Sequence, residues 1–316
     1  MTLTSSPKVS IYSRIEKRLE MPQYANNNLK SPRSSTPNKY QKRDGLSRCV
    51  TRDNGHQTEI PSDTHSDSGQ CNTSTNAEIN AADIIEPYAE GSFRYVAPGT
   101  YTSGPRKGEP CVLKWFKTGV VFEPDYFTLD IRAVDKALEI VDQFNNLNVT
   151  HKTIRINVPE VWFVEPSNHP RLSGWKGARM LCEPFIDNYE KFNSNSGWYD
   201  VSETWGEVMQ ALSHFSYHVS DGCFVLCDLQ GGVYRREIVL SDPVILSRKR
   251  EYGVTDLGPE GISTFFYQHN CNSFCSPQWK RPLDPLLFFS PRMGTSMMKH
   301  SEPMVCTRRK KGRVIA

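Results

Sequence analysis

The sequence predicts an α+β protein of two lobes. Two strand-like runs, FRYVAPGTY and CVLKWFK, stand early and are joined by the Gly/Pro/basic turn GPRKGEP. Amphipathic helices follow, in IRAVDKALEIVDQFNN with Ile131, Val134, Leu138 and Val141 on one face, and over Thr204–Val219 with Met209, Leu212, Phe215 and Val219. Strands come first and a mixed half comes after, which is the order of an α+β chain.

The elements sit between two polar ends. Residues 1–82 are rich in Ser, Thr, Asn, Asp and Pro, lack a sustained apolar period, and are expected to be a disordered tail. Ser31-Pro32 and Thr36-Pro37 are candidate phosphorylation sites within it. The folded domain is expected over 83–282. Its later strands are VPEVWFVEP and ARMLCEPF, then CFVLCDL and EIVLSDPVIL as a final strand pair. Thr204 and Glu207 form a T-x-x-E capping box at the start of the second helix. Residues 283–316 are expected to be a flexible basic tail ending in TRRKKGRVIA.

With 316 residues, the chain has room for one large or two modest domains. Its 38 Lys+Arg against 35 Asp+Glu give a net charge of +3, which implies no general affinity for nucleic acid or membrane. No run approaches the roughly 18 apolar residues of a membrane helix. The N-terminus has no apolar core of signal-peptide length, and its first acidic residue, Glu16, gives it only a faint transit-peptide character. An odd count of 9 cysteines without a secretion signal argues for reduced thiols in the cytosol or nucleus.

Several residues stand out as candidates for chemistry. Lys114 lies mid-strand among apolar neighbours, where an ammonium must face an anion such as phosphate or else face solvent from an edge. Asp228 and Asp242 each end an apolar strand, in VLCDLQG and IVLSDP, with Gln230 beside the first. Carboxylates so placed hold Mg2+ or act as a base, unless they only terminate strands in turns. The loop Gly91-Ser92-Phe93-Arg94 can offer amides and a guanidinium to phosphate. Asp256–Gly261 reads by itself as a turn. In HNCNSFC, His269, Cys271 and Cys275 offer zinc-compatible ligands. A fourth ligand can come from His214 or His218, which project from one face of the second helix. Spacing alone leaves open a metal site or buried thiols beside an incidental histidine.

Taken together, GSFRYVAPGTYTSGPRKGEPCVLKWFK, EPFIDNYEKFNSNSG, ALSHFSYH, LCDLQGG, LSDP and YGVTDLGPEGISTFFYQHNCNSFC resemble the catalytic domain of the atypical alpha-kinases. That family includes myosin heavy chain kinases, the kinase of elongation factor 2, and kinase domains fused to ion channels. The likeness runs from Gly91 to Cys275 in family order. It implies a two-lobed kinase fold with ATP in the cleft, transfer of the γ-phosphate to Ser or Thr of a protein substrate, autophosphorylation, and structural zinc. It also implies residue roles. Lys114 would bind the ATP phosphates, with Ser92 and Arg94 nearby in the loop. Glu183 would stand beside the adenine and Ile186 along the hinge. Asp228 would be the catalytic base or phosphate-side catalyst, and Gln230 and Asp242 would be Mg2+ ligands. His214, His269, Cys271 and Cys275 would hold zinc. The loop around TDLGPEGI would help to hold peptide substrate.

Two departures accompany the likeness. GGVYRREIVL, between the two aspartates, is longer than usual. The run Ser241-Asp242-Pro243-Val244-Ile245-Leu246 replaces a family T-D-P-Q-I-H. Both aspartates are expected to keep low pKa values beside a lysine or metal. The alternatives are a catalytically weak scaffold of the same fold and, further off, a zinc-dependent nucleic-acid binder using the terminal RRKKGR. Thr295 and Ser296 are candidate autophosphorylation sites.

Overall fold

A computed structural model describes residues 8–12, 69–72, 74–202, 204–298 and 307–308. Strands β1 (Lys8–Tyr12), β2 (Gly69–Cys71) and β3 (Asn76–Asn80) precede a short helix α1 (Ala81–Ile85). Then come β4 (Ala89–Glu90), β5 (Arg94–Tyr101), β6 (Pro110–Phe116) and the long helix α2 (Thr128–Asn146). Strands β7 (Thr153–Val158), β8 (Glu160–Val164), β9 (Arg179–Pro184) and β10 (Glu190–Lys191) lead to helix α3 (Thr204–Val219). Strands β11 (Phe224–Cys227), β12 (Gln230–Val233), β13 (Glu237–Leu240) and β14 (Val244–Ser247) lead to helix α4 (Gly258–Gln268). A last pair, β15 (Leu286–Leu287) and β16 (Thr307–Arg308), closes the chain.

The first lobe is a seven-stranded sheet in the order β3-β1-β8-β9-β6-β5-β4. A further β3–β5 pairing brings β3 back onto β5, so every strand but β4 belongs to a closed, wholly antiparallel ring. Alternation fills the ring. Val9 and Ile11 of β1, Ile79 of β3, Leu113 of β6, and Trp162 and Val164 of β8 point inward and are buried. The staves pass so closely at Gly99 that a Cβ there would sit 2.8 Å from Leu113 Cδ1 and 3.0 Å from the Glu78 carbonyl oxygen.

The second lobe packs α2 and α3 against a five-stranded sheet, β10-β12-β13-β7-β2, and the small β11–β14 pair. The buried face of α2 is Ala133, Val134, Ala137, Ile140, Val141 and Phe144. Ile131 and Leu138, expected on that face, lie half-buried at its margins. On α3, Met209, Leu212 and Phe215 are buried, but Val219 is exposed where the helix ends. Thr204 is the first helical residue, and the position before it lies outside the described residues.

The structure revises three expectations. The polar tail over 1–82 contributes β1, β2 and β3 to the two large sheets, because KVSIY and NAEIN carry short period-2 runs that neighbouring strands can pair. Ser31 and Thr36 lie outside the described residues, as does the basic run beyond Arg308. The expected final strand pair is instead two nested hairpins. β11 pairs with β14, while β12 and β13 pair with each other in a different sheet. GGVYRREIVL thus forms a hairpin that extends the larger sheet, and Val244, Ile245 and Leu246 are buried in β14. Residues 283–298, expected to be loose, pack on the second lobe, with Phe289 buried and its amide donating to Thr264 Oγ1 (3.2 Å). Among the described residues, no helix is long and apolar enough to cross a membrane, and Cys111, Cys182, Cys223, Cys227, Cys271 and Cys275 are free thiols.

Candidate active site

The chain crosses between the nested hairpins twice, and an aspartate stands at each crossing. Asp228 links β11 to β12, and Asp242 links β13 to β14. Both take a left-handed backbone, with φ of 59° and 48°. Asp tolerates that region better than most residues with a Cβ, which is a local reason for the type at a sharp change of sheet. Asn193 pins the first crossing to α3. Its Oδ1 accepts from the Leu229 amide (2.9 Å), and its Nδ2 donates to Gln210 Oε1 (3.0 Å) and Ser213 Oγ (2.9 Å).

The crossings open into a cavity of about 530 Å³ between the lobes, lined by Ser92, Arg94, Lys114, Glu183, Ile186, Asp228, Gln230 and Asp242 among others. Every ATP- or catalysis-related candidate from the sequence therefore meets in one place. Alternation on β6 turns Lys114 away from the ring interior that Leu113 fills and into the cleft, where it is 6% exposed. Its Nζ pairs with Glu183 Oε1 and with Asp242 Oδ2 (2.5 Å). Glu183, on neighbouring β9, is thus engaged by Lys114, while Ile186 follows beyond the strand end and packs against Gly232. Arg94 is buried too, pairing with Asp130 Oδ1 (2.5 Å) and lying 3.6 Å from Asp242 Oδ1. Its guanidinium sits over the Phe93 and Phe116 rings.

The two aspartates differ electrostatically, contrary to the expectation that both stay low. Burial would raise the Asp242 carboxyl, but Lys114 and then Arg94 outweigh it and hold it below the usual range. Glu183, competing for the same ammonium, is pushed up to about 7, chiefly by burial. Lys114 remains charged because the two carboxylates outweigh its own desolvation. Asp228 is only 1% exposed, and burial raises it despite Lys191, whose Nζ lies 2.9 Å from Oδ1. Thr295 Oγ1 donates to Asp228 Oδ2 (2.7 Å). The two carboxyls are thus shifted in opposite directions, Asp242 down by its cations and Asp228 up by burial.

Gln230 and Asp242 are side by side because the Ser241 amide donates to the Gln230 carbonyl oxygen (3.0 Å) across β12 and β13. A carboxylate and an amide oxygen are hard donors of the kind Mg2+ takes, and here the Gln230 side chain faces Asp228 Oδ2 (3.4 Å) and Lys191 Nζ (3.5 Å). Sequence reasoning missed Lys191 and Asp130. Lys191 sits on the two-residue β10 inside EPFIDNYEKFNSNSG, where no periodicity marks it, and Asp130 reads as an ordinary first-turn acid of α2.

A second cluster lies on the far side of α3. The ligand atoms of His214, His269, Cys271 and Cys275 all lie within 4.8 Å of one another. His269 Nε2 is 3.2 Å from His214 Nδ1, and the sulfurs of Cys271 and Cys275 are 3.7 and 3.6 Å from the nearer imidazole nitrogens. A tetrahedral ion with zinc-like bond lengths has edges of roughly 3.3 Å between nitrogens and 3.6 Å between nitrogen and sulfur, so the spacing fits a metal. His214 Nε2 meets the Lys280 carbonyl oxygen (3.1 Å), which fixes the tautomer that leaves Nδ1 as the ligand atom. His218 is outside the cluster. It stacks on Trp279, and its Nδ1 accepts from the Lys280 amide (3.3 Å).

Asp256, read as a turn, is a buried hub. Its carboxylate accepts from the amides of Ser247 (2.8 Å), Tyr252 (3.2 Å) and Gly258 (2.9 Å), ordering the loop before α4.

Comparison with known proteins assigns the family and the fold. The profile of the alpha-kinase family matches residues 89–275. The chain is 33% identical over 141 residues to alpha-protein kinase vwkA of Dictyostelium discoideum, covering 44% of this chain and 21% of that protein. It is 37% identical over 151 residues to eukaryotic elongation factor 2 kinase of Caenorhabditis elegans, covering 46% and 17%. It thus spans about a fifth of the length of these curated relatives. Among solved structures, the alpha-kinase domain of myosin heavy chain kinase A in complex with AMP superposes with a TM-score of 0.51 at 21% identity, over 64% of this chain and 92% of that one. An alpha kinase from Entamoeba histolytica gives a TM-score of 0.51 at 20% identity, over 70% and 85%.

Proposed function

The chain belongs to the alpha-kinase family, and from that premise we propose that it is an ATP-dependent serine/threonine protein kinase. The observation that carries this reading is the paired arrangement across the cleft. On one wall, Lys114 and Arg94 hold the ionised Asp242; on the other, Asp228 has a raised carboxyl and already accepts a hydroxyl hydrogen bond. Phosphoryl transfer needs positioning and charge neutralisation more than covalent chemistry. Lys114 and Arg94 would face the phosphates, with Ser92 in the loop beside them, and Ile186 would border the base. Asp228 would take the proton of the attacking hydroxyl, and Lys191 would orient it. Gln230 and Asp242 would hold Mg2+, which when bound supplies charge neutralisation at the phosphates.

The His214, His269, Cys271 and Cys275 cluster is proposed to hold structural zinc. Its donor set is complete at four, which leaves no open position for chemistry. The family domain over 83–282, a protein substrate, and a cytosolic or nuclear setting complete the reading. Incubating the purified chain with radiolabelled ATP and Mg2+, alone and with a generic Thr-containing peptide, tests it. Label on Ser or Thr that disappears in Asp228→Ala and Lys114→Ala is the expected result. Nucleotide binding with no transfer to any acceptor would instead identify a scaffold.

A further inference from the structure

We propose that residues 292–298 lie along the path of a phosphoacceptor peptide, with Thr295 as the chain's own acceptor, so that this segment competes with outside substrates. The inference rests on the kinase reading above. Thr295 presents its hydroxyl as a substrate would: Oγ1 donates to Asp228 Oδ2 at 2.7 Å, and Lys191 Nζ lies 3.5 Å from Thr295 Oγ1.

The segment is held by its backbone. Asn195 brackets the residue after Thr295, its Oδ1 accepting from the Ser296 amide (2.8 Å) and its Nδ2 donating to the Ser296 carbonyl oxygen (2.7 Å). The same Nδ2 donates to the Thr255 carbonyl oxygen (2.8 Å), tying this clamp to the loop ordered by Asp256. Three residues before Thr295, the Arg292 amide donates to Ser196 Oγ (3.0 Å), which can donate back to the Arg292 carbonyl oxygen (3.3 Å). Three residues after it, the Met298 amide donates to the Val254 carbonyl oxygen (2.9 Å). Met293 and Met298 remain 56% and 36% exposed. Ser92 of the first lobe approaches Gly294, the residue before the acceptor, which is itself exposed. Main-chain anchors on both sides of a hydroxyl, with side chains turned outward, are the contacts by which any extended Thr or Ser peptide can be held.

In the transfer step, Thr295 Oγ1 forms a bond to the γ-phosphorus of ATP as the bond from that phosphorus to the β-phosphate oxygen breaks. The hydroxyl proton passes to Asp228, and ADP leaves. The product sets a phosphate of nearly two negative charges beside buried Asp228, with Lys191 as the neighbouring cation. Like-charge repulsion then drives the segment out, and the peptide path opens.

The test uses the full chain with MgATP. Mass spectrometry is expected to find phosphate on Thr295, formed at a rate per molecule that is unchanged over about a hundredfold dilution, as an intramolecular step requires. Thr295→Val removes that label. Ser296→Pro and Met298→Pro each delete an anchoring amide at a different place. Each is expected to lower the KM for an outside Thr peptide about tenfold, the scale of one or two lost hydrogen bonds, with kcat retained. Phosphorylation of the outside peptide without label on Thr295, labelling that rises with protein concentration, or an unchanged KM in both proline variants would each overturn the inference and leave the kinase reading standing. No transfer to any acceptor overturns both.

Discussion

The interlobe cleft and the His/Cys cluster both gather polar side chains away from water, but they balance them differently. In the cleft, cations and carboxylates answer each other. Lys114 lies between Glu183 and Asp242, Arg94 between Asp130 and Asp242, and Lys191 on Asp228. The cluster has no such balance. His214 Nδ1, His269 Nε2 and the two sulfurs converge, and burial pushes His214 down to about 4 and Cys275 up to about 11 when no ion faces them. A cation is what makes a thiolate favourable there. The charges of the cleft are therefore balanced among its own side chains, whereas the donors of the cluster would be balanced by a cation. Asn193 links them by hydrogen-bonding Ser213, the neighbour of His214, and the amide next to Asp228.

Breaking the cleft should therefore cost turnover, and breaking the cluster should cost folding. Asp228→Asn keeps the shape of the side chain but removes the proton acceptor. Phosphoryl transfer should fall by about a thousandfold, with a far smaller change in melting than metal removal causes. Steady-state kinetics and calorimetry on the same sample check this. Stripping the cluster with a strong chelator, or His214→Ala, should lower Tm by about 10 °C or more, while His218→Ala retains one zinc per chain by elemental analysis. The reverse pattern would make His218 the ligand.

A pH titration sharpens the cleft side. Glu183 has a folded-state pKa of about 7 against an ordinary 4.5. Its contribution to stability is thus fully present below 4.5 and is lost as pH rises through 7. Glu183→Gln should flatten the dependence of Tm on pH across that window. The smallest effect belongs to Lys280→Ala. That change removes an exposed pair with Asp221 but keeps the carbonyl that orients His214. Tm should move by about 1 °C or less; a large drop would mean that the side chain, not the carbonyl, supports the cluster.

Much of this was legible in the chain. The alternation of FRYVAPGTY and CVLKWFK gave β5 and β6 and made Lys114 conspicuous, and the apolar period of α2 and α3 marked both long helices. The four cluster residues were another matter. Spacing left His214 and His218 equivalent, and only the family resemblance favoured His214. What stayed hidden was non-local. Lys191 and Asp130 acquire meaning from partners brought close by folding. The nested pairing of β11 with β14 around β12 and β13 leaves no periodic trace, because each strand is only four residues long. β1 was lost in its polar surroundings, since a five-residue strand supplies few repeats of its alternation.

That first strand also governs the order of events in time. In the closed ring, Val9 pairs with Ile79 and Ile11 with Val164, so the earliest stave to emerge during synthesis must wait for partners made much later. β5 and β6 are near neighbours in sequence and can pair at once. Searching out a partner across a long stretch of chain is slow, and it grows slower as the intervening loop lengthens. Until β1 arrives, β3 and β8 each present an unpaired edge, the kind that recruits strands from other molecules. Closing the ring is therefore a late step in the maturation of this lobe, and the interval before it is when the nascent chain most needs shielding.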